Sequence, residues 1–281
     1  MKKPLFKKIA IVGVGLIGGS IGMAVKRRKL AGLVVGVVHH RKTIPGAFEK
    51  KAIDVATLDL REGIKGADLV VLCAPVETII RQLERIGPYL KRGAVVIDVG
   101  SSKVEINKKA KKNLKQNRFV GCHPMAGSEK QGVSFADADL FKNRVCFLTA
   151  RDRLIEKFWR NLGSRTFYLA PAEHDRWVAS VSHLPHLLSF ILFQKISPGL
   201  LKGRQIKELN PSIRDFARLA QSDPALWSEI LLSNRENILE ALSRFKADAA
   251  RFRNILHSKN SAGLTQFISH ARKSASEFAA D

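Results

Sequence analysis

The stretch VGCHPMAGSEKQGVSF, residues 120–135, puts an imidazole, a hydroxyl and a carboxylate on glycine-rich chain: His123, Ser128 and Glu129. Few apolar anchors hold it, so it reads as a loop whose polar groups are there for chemistry. Two more histidines, His183 and His186 in SHLPH, are three apart and share one helix face. Arg214 and Arg218 in RDFARLAQSDPALW are four apart and share another. Guanidinium forks match carboxylates, so this pair suits an anionic substrate. The paired histidines have no nearby acidic or cysteine partner that would complete a metal site, and no metal is expected.

A second kind of chemistry is written near the N-terminus. IVGVGLIGGSIG contains Gly13-x-Gly15-x-x-Gly18, after a β-branched run and at the opening of a helical stretch. That context makes it a dinucleotide-binding loop. Gly13 allows the tight turn, Gly15 lets a pyrophosphate approach the backbone, and Gly18 lets helix and strand pack closely. Leu16 and Ile17 lie within the loop, and Ala74, Pro75 and Val76, closing the strand ADLVVLCAPV, join the expected cofactor set. An acid at the end of the second strand would bind the ribose diol of NAD. This chain instead has His39, His40, Arg41 and Lys42 there. Such a turn suits a 2′-phosphate, so NADP is preferred over NAD. A nicotinamide enzyme also needs a group to take the alcohol proton as hydride leaves, and His123, His183 and His186 are the candidates.

The elements that position these groups alternate through the first part of the chain. KKIAIVGVG, LVVGVVHH, ADLVVLCAPV, AVVIDVGSSK, RFVGCHP, RVCFLTA and TFYLA read as strands, with helical segments among them. Near-continuous Val/Ile runs predict a parallel sheet covered on both faces, a doubly wound Rossmann-type α/β domain over residues 1–170. From 171 to 281 the pattern is all-helical. AEHDRWVASVSHLPHLLSFILFQKI predicts one long helix bent at Pro185. Its LLSFILF segment is apolar nearly all round and should be buried. Ser222-Asp223-Pro224 opens another long helix running on through NRENILEALSRFKADAARFRNIL, and SAGLTQFISHARKSASEF forms the last. Such a small helical domain has little core of its own, which predicts a homodimer through these helices.

With 281 residues the chain is long enough for a large core. Three cysteines, Cys73, Cys122 and Cys146, with no paired motif fit a reducing cytoplasm. The apolar run after MKKPLFKK resembles a signal peptide, but its glycines weaken such a helix and belong to the phosphate loop; no other apolar run is long enough for a membrane. The net charge of +23 comes from dispersed clusters such as Lys7-Lys8 and Lys26 to Lys29. It could attract nucleic acid, an anionic membrane or anionic small molecules. No zinc-finger spacing or RNA-binding aromatic motif accompanies it, so the expected partner is a small molecule.

GVGLIGGSIG, DVGSSK, HPMAGSEKQG, SHLPH and RDFARLAQSDPALW, in that order, resemble the prephenate and arogenate dehydrogenases of tyrosine biosynthesis over essentially the whole chain. No chorismate mutase segment or extra regulatory domain is expected. The resemblance implies that His123 hydrogen-bonds the ring hydroxyl and that Ser101 lies near that hydroxyl and the nicotinamide. It further implies that Glu129, beside Ser128, orders the pocket, that His186 faces the substrate side chain, and that Arg218 grips the ring carboxylate; Ser128 and His183 join the expected substrate-binding set. Arg214 stands where relatives often have lysine. The implied reaction is oxidative decarboxylation of prephenate, or of arogenate as the alternative. One rival is a β-hydroxyacid dehydrogenase, which uses a helical lysine and lacks the HP-x-AG loop. Another is a basic nucleic-acid-binding protein with a relict Rossmann domain.

Overall fold

A computed structural model describes residues 3–127, 130–195 and 211–278. The chain divides into two compact units, Met1–Asn234 and Arg235–Asp281.

The first unit is built on one sheet. Its strands are β1 (Phe6–Val12), β2 (Ala31–Val37), β3 (Val55–Thr57), β4 (Leu69–Leu72), β5 (Val95–Asp98), β6 (Arg118–Pro124), β7 (Val145–Leu148) and β8 (Arg165–Tyr168). Their spatial order is β3-β2-β1-β4-β5-β6-β7-β8. β4 (LVVL) and β5 (VVID) are buried at every position, as interior parallel strands must be. The helices α1 (Leu16–Arg27), α2 (Thr43–Glu49), α3 (Leu60–Ile64), α4 (Val76–Ile86), α5 (Val104–Asn113) and α6 (Arg153–Asn161) alternate with the strands. Two apolar clusters result, one around Ile9, Ile11, Phe141, Phe158 and Trp159, the other around Val70, Leu72, Ile79, Leu83 and Ile106. The strand order reverses between β1 and β4, so a crevice opens beyond their carboxyl ends, where such sheets bind ligands.

Two features depart from the expected sheet. β3, only three residues long and on the sheet edge, has too little apolar sequence to be read as a strand. And β7 runs antiparallel to β6, with His123 opposite Phe147, so that β7 and β8 oppose the other six strands. A parallel return needs a helix-length crossover. Between β6 and β7 the described residues hold only a short 3₁₀ turn at Val133–Phe135, and the chain comes back antiparallel.

After β8 the elements are helical. α7 (Pro171–Val178) passes through a π-helical turn at Ala179–His183 into α8 (Leu184–Lys195). The irregularity expected at Pro185 therefore falls in the turn just before it, because proline cannot donate to the carbonyl of Val181. α9 (Pro211–Ala220) and α10 (Pro224–Ser233) complete the unit, and Asp223 caps α10 by accepting the Leu226 N–H at 2.7 Å. The long helix expected from Pro224 onward is broken at Asn234, whose amide is spent on other partners. α8 is not fully covered by its own chain: only Ser189 is buried, Leu187, Leu188, Phe190, Leu192 and Phe193 are half-buried, and Ile191 is 44% exposed.

The second unit is a pair of helices, α11 (Arg235–His257) and α12 (Ser261–Phe278), with the Phe252 and Phe267 rings 5.2 Å apart. No helix among the described residues is long and apolar enough to cross a membrane.

Candidate active site

Gly13 turns the chain out of β1 at φ +99°. A Cβ there would lie 2.2 Å from the Cys73 carbonyl oxygen, and one on Gly18 would lie 2.0 Å from that of Gly13. Both positions are closed to any other residue. Gly15 is different: a Cβ there would meet nothing within 4 Å, so the backbone borders open space. α1 begins at Leu16 with no side-chain cap and no acid in its first turn, leaving its N–H groups and positive end for an anion. A dinucleotide pyrophosphate fits this cradle.

The cradle opens into a cavity of about 500 Å³. Its lining includes Leu16, Ile17, Ala74, Pro75 and Val76, Ser101 and His123, and His183, His186, Arg218 and Trp227. These come from β1–α1, β4–α4, β5–α5, β6, the π turn, α8, α9 and α10, so the fold gathers groups as far apart in sequence as Leu16 and Trp227. Arg214, one turn before Arg218, is exposed and is not among the cavity's lining residues. His39, His40, Arg41 and Lys42 form an exposed turn beyond β2 and are not among the cavity's lining residues; the two imidazoles are edge-to-face at 4.4 Å. Ser128 and Glu129 lie outside the described residues.

Each pocket histidine is held by one of its ring nitrogens. His123, at the end of β6, meets His174 Nε2 through Nδ1 at 2.9 Å, and His174 Nδ1 meets Asp175 Oδ1 at 2.8 Å. His186 donates Nδ1–H to the Ser182 carbonyl at 2.8 Å and stacks on Trp227, centroids 3.7 Å apart. The amide nitrogen of Asn234 donates to the Asp175 carbonyl at 2.7 Å, which fixes its orientation. The same nitrogen lies 3.1 Å from His183 Nδ1. That ring nitrogen is therefore an acceptor, and His183 carries its proton on Nε2.

Beneath Ser101 and His123 sits a fully buried ion pair. Lys103 Nζ binds Asp98 and donates to the Cys122 carbonyl at 2.8 Å, while Asp98 also accepts the N–H groups of Gly100 and Cys122. Burial pushes the Asp98 carboxyl up, and the Lys103 ammonium and the two N–H groups work against it. Burial also drives the histidines down. His123 lies well below the usual imidazole range, through burial first, then His174, Lys103 and His183. His183 falls to about 4. His186 is lowered by burial, with the Ser182 carbonyl opposing and Arg218 adding to it. All three rings are neutral near pH 7, so His123 is free to accept a proton.

Sequence reasoning missed His174, Asp175, Lys103, Asp98, Asn234 and Trp227. The His-Asp pair in AEHDRW looked like a polar helix face, and Asn234 like the interior of one long helix. The polar stretch Ser233-Asn234-Arg235-Glu236-Asn237 between two apolar helical runs was the available signal, since asparagine and serine favour breaks over helix interiors.

A glycine cradle at a Rossmann switch point, opening on neutral histidines and an arginine, defines a dinucleotide-dependent oxidoreductase acting on an anionic substrate. The prephenate dehydrogenase nucleotide-binding domain model matches residues 21–166 and the prephenate dehydrogenase dimerization domain model residues 170–270. The chain belongs to the prephenate dehydrogenase family. It is 31% identical to a prephenate dehydrogenase of Lactococcus lactis, over 95% of this chain and 76% of that one. Its structure is similar to that of a prephenate dehydrogenase from A. aeolicus in complex with hydroxyphenyl propionate and NAD+, at 27% identity and a TM-score of 0.87, covering 97% and 98% of the two chains. It is also similar to an arogenate dehydrogenase of Synechocystis, at 28% identity and a TM-score of 0.80, covering 96% and 99%.

The depressed histidines carry a stability signature. Unfolded, His183 regains its ordinary value of 6.5, so between about pH 6.5 and 4 the unfolded chain binds the proton first. Stability is complete above that window and falls as the pH drops through it. Urea midpoints between pH 7 and pH 4 will decline, and a His183→Gln variant will show a shallower decline.

Proposed function

We propose that the protein converts prephenate to 4-hydroxyphenylpyruvate and carbon dioxide with an oxidised nicotinamide dinucleotide. The observation that carries this reading is one cavity shared by the dinucleotide cradle, Ser101, His123 and Arg218. Residues 1–170 supply the cradle, and residues 171–281 supply the groups facing the substrate side chain and ring carboxylate.

The substrate ring bears a hydroxyl opposite a carboxylate. His123 accepts the hydroxyl proton through Nε2, and Ser101 steadies the same oxygen. Arg218 holds the ring carboxylate and so orients the C–H bond that breaks. The bound cofactor supplies the hydride acceptor. Once the carbonyl forms, it is conjugated to the carbon bearing the carboxylate; the C–C bond breaks, carbon dioxide leaves, the electron pair passes through the ring to the oxygen, and that oxygen takes the proton back from His123 as the phenol. Aromatisation makes the sequence irreversible. Ser128, Glu129, His183 and the side-chain-facing His186 complete the proposed set.

Turnover of prephenate followed by nucleotide reduction tests the reading directly, with arogenate, which has an amino group in place of the keto group, as the comparison substrate. His123→Asn will lower kcat by roughly 10²–10⁴-fold with dinucleotide affinity unchanged, since that is what a general base contributes. Arg218→Ala will raise the substrate KM by roughly 10- to 150-fold, the cost of a charge-assisted contact, and leave the nucleotide KM alone.

NADP is the proposed preferred nucleotide. The turn after β2 offers Arg41 and Lys42 to a 2′-phosphate and has no carboxylate for a ribose diol. The expected result is a kcat/KM for NADP at least equal to that for NAD, with Arg41→Ala lowering the NADP value selectively.

The half-covered apolar face of α8 supports a homodimer formed through the helical region. Light scattering at micromolar concentration will give twice the 31.2 kDa chain mass.

A further inference from the structure

Hydrogen-bond direction along the chain His123–His174–Asp175 can be read from its far end. Asp175 accepts the backbone N–H groups of Lys103 at 2.7 Å and Val104 at 2.9 Å, at the N-terminus of α5. It is an acceptor to both, and to the third group facing it, His174 Nδ1. His174 therefore carries its proton on Nδ1 and has a bare Nε2. Between the two imidazoles the remaining donor is His123 Nδ1–H. His123 Nε2 is then bare and is the ring nitrogen left for the cavity.

We propose that His174 and Asp175 make His123 the first member of a proton relay, in which His174 holds the positive charge once the substrate hydroxyl has given up its proton. The proposal rests on the dehydrogenase reading above. The hydroxyl O–H bond breaks as an N–H bond forms at His123 Nε2. The His123 Nδ1–H bond breaks as an N–H bond forms at His174 Nε2. His123 ends neutral in its other tautomer. His174 ends as an imidazolium whose Nδ1–H still donates to Asp175. No electrons change hands in these steps, because the hydride leaves separately to the oxidised nicotinamide.

The surroundings favour the charge on His174. His123 faces His174 from α7, His183 from the π turn, and Lys103, at the start of α5 and paired with Asp98 at the end of β5; burial and this company disfavour a cation on its ring. His174 touches the Asp175 carboxylate directly, and two N–H groups and the positive end of α5 hold that carboxylate in place. Its ring is fully buried, edge-to-face with Phe147 at 5.7 Å. With no solvent access of its own, His174 returns the proton through His123 to the ring oxygen as decarboxylation turns it into the phenol. His174 is thus a positioning residue for His123 as well as the relay's store of charge.

Ring ¹⁵N shifts of the cofactor-free protein test the first half of this without any turnover, so their outcome is separate from that of the dehydrogenase reading. The expected spectrum has protonated Nδ1 and bare Nε2 on both His123 and His174. A proton on His123 Nε2 would overturn the relay. Two variants test the second half. His174→Phe keeps the ring volume and the contact with Phe147 but removes both nitrogens. His174→Gln keeps an acceptor for His123 Nδ1–H but cannot take a proton. Both are expected to lose roughly 10²-fold in kcat, with substrate KM and dinucleotide affinity unchanged. The acid limb of kcat should move to lower pH, because His123 alone must then bear the charge. The Gln variant should retain the wild-type His123 tautomer, and it keeps the test alive if the Phe variant does not fold. Wild-type kcat and an unmoved acid limb in the Gln variant would sink the proposal.

Discussion

Asp175 stands at the junction on which the site depends. Its carboxylate bonds two consecutive backbone N–H groups at the start of α5 and the imidazole of the residue before it, and its own carbonyl takes the amide of Asn234. One residue thereby ties the sheet's β5–α5 loop, the first helix after the sheet, and the C-terminal end of α10. The N–H groups at a helix start have no partners within the helix, and a carboxylate is the group best suited to them. Ser102 reinforces the same junction through the Ser233 hydroxyl at 2.9 Å. Ser101 and His123 are oriented because the backbone on either side of them is held this way.

Lys103 contributes twice. Its N–H bonds Asp175, and its ammonium lies under β6 against Asp98 and the Cys122 carbonyl. A buried charge pair is weak evidence for stability, since desolvation offsets much of the attraction. Here its value is positional: the carboxylate also fixes Gly100 and Cys122, the neighbours of Ser101 and His123.

Much of this was legible in sequence because the signals were local. A glycine spacing after a β-branched strand gives the cradle, and SHLPH and RDFAR place their side chains by helical period alone. The rest depended on contacts between distant segments. Nothing near His174 says that it meets a residue fifty-one positions earlier, and nothing near Asn234 marks it as the donor to His183. The antiparallel β7 was hidden for a related reason. Strand direction follows from what lies between strands, and the glycine-rich stretch after His123 supplies a loop where a crossover helix would be needed. All-round apolarity predicts that LLSFILF is buried, yet within its own chain Ser189 alone is buried and Ile191 is exposed, a difference that periodicity cannot specify.

The π turn at Ala179–His183 sets the phase of everything after it. Five residues in one wide turn place one more residue between α7 and α8 than α-helical winding would. α7 carries His174 and Asp175, and the stretch after the turn carries His186. Winding 179–183 as ordinary α-helix with every residue kept would rotate each later side chain by about 100° relative to α7. His186 would then swing off Trp227 while His174 stayed in place. The two ends of the site are thus registered by a single inserted residue, and a redesign that idealised this helix would produce a better helix and dismantle the pocket.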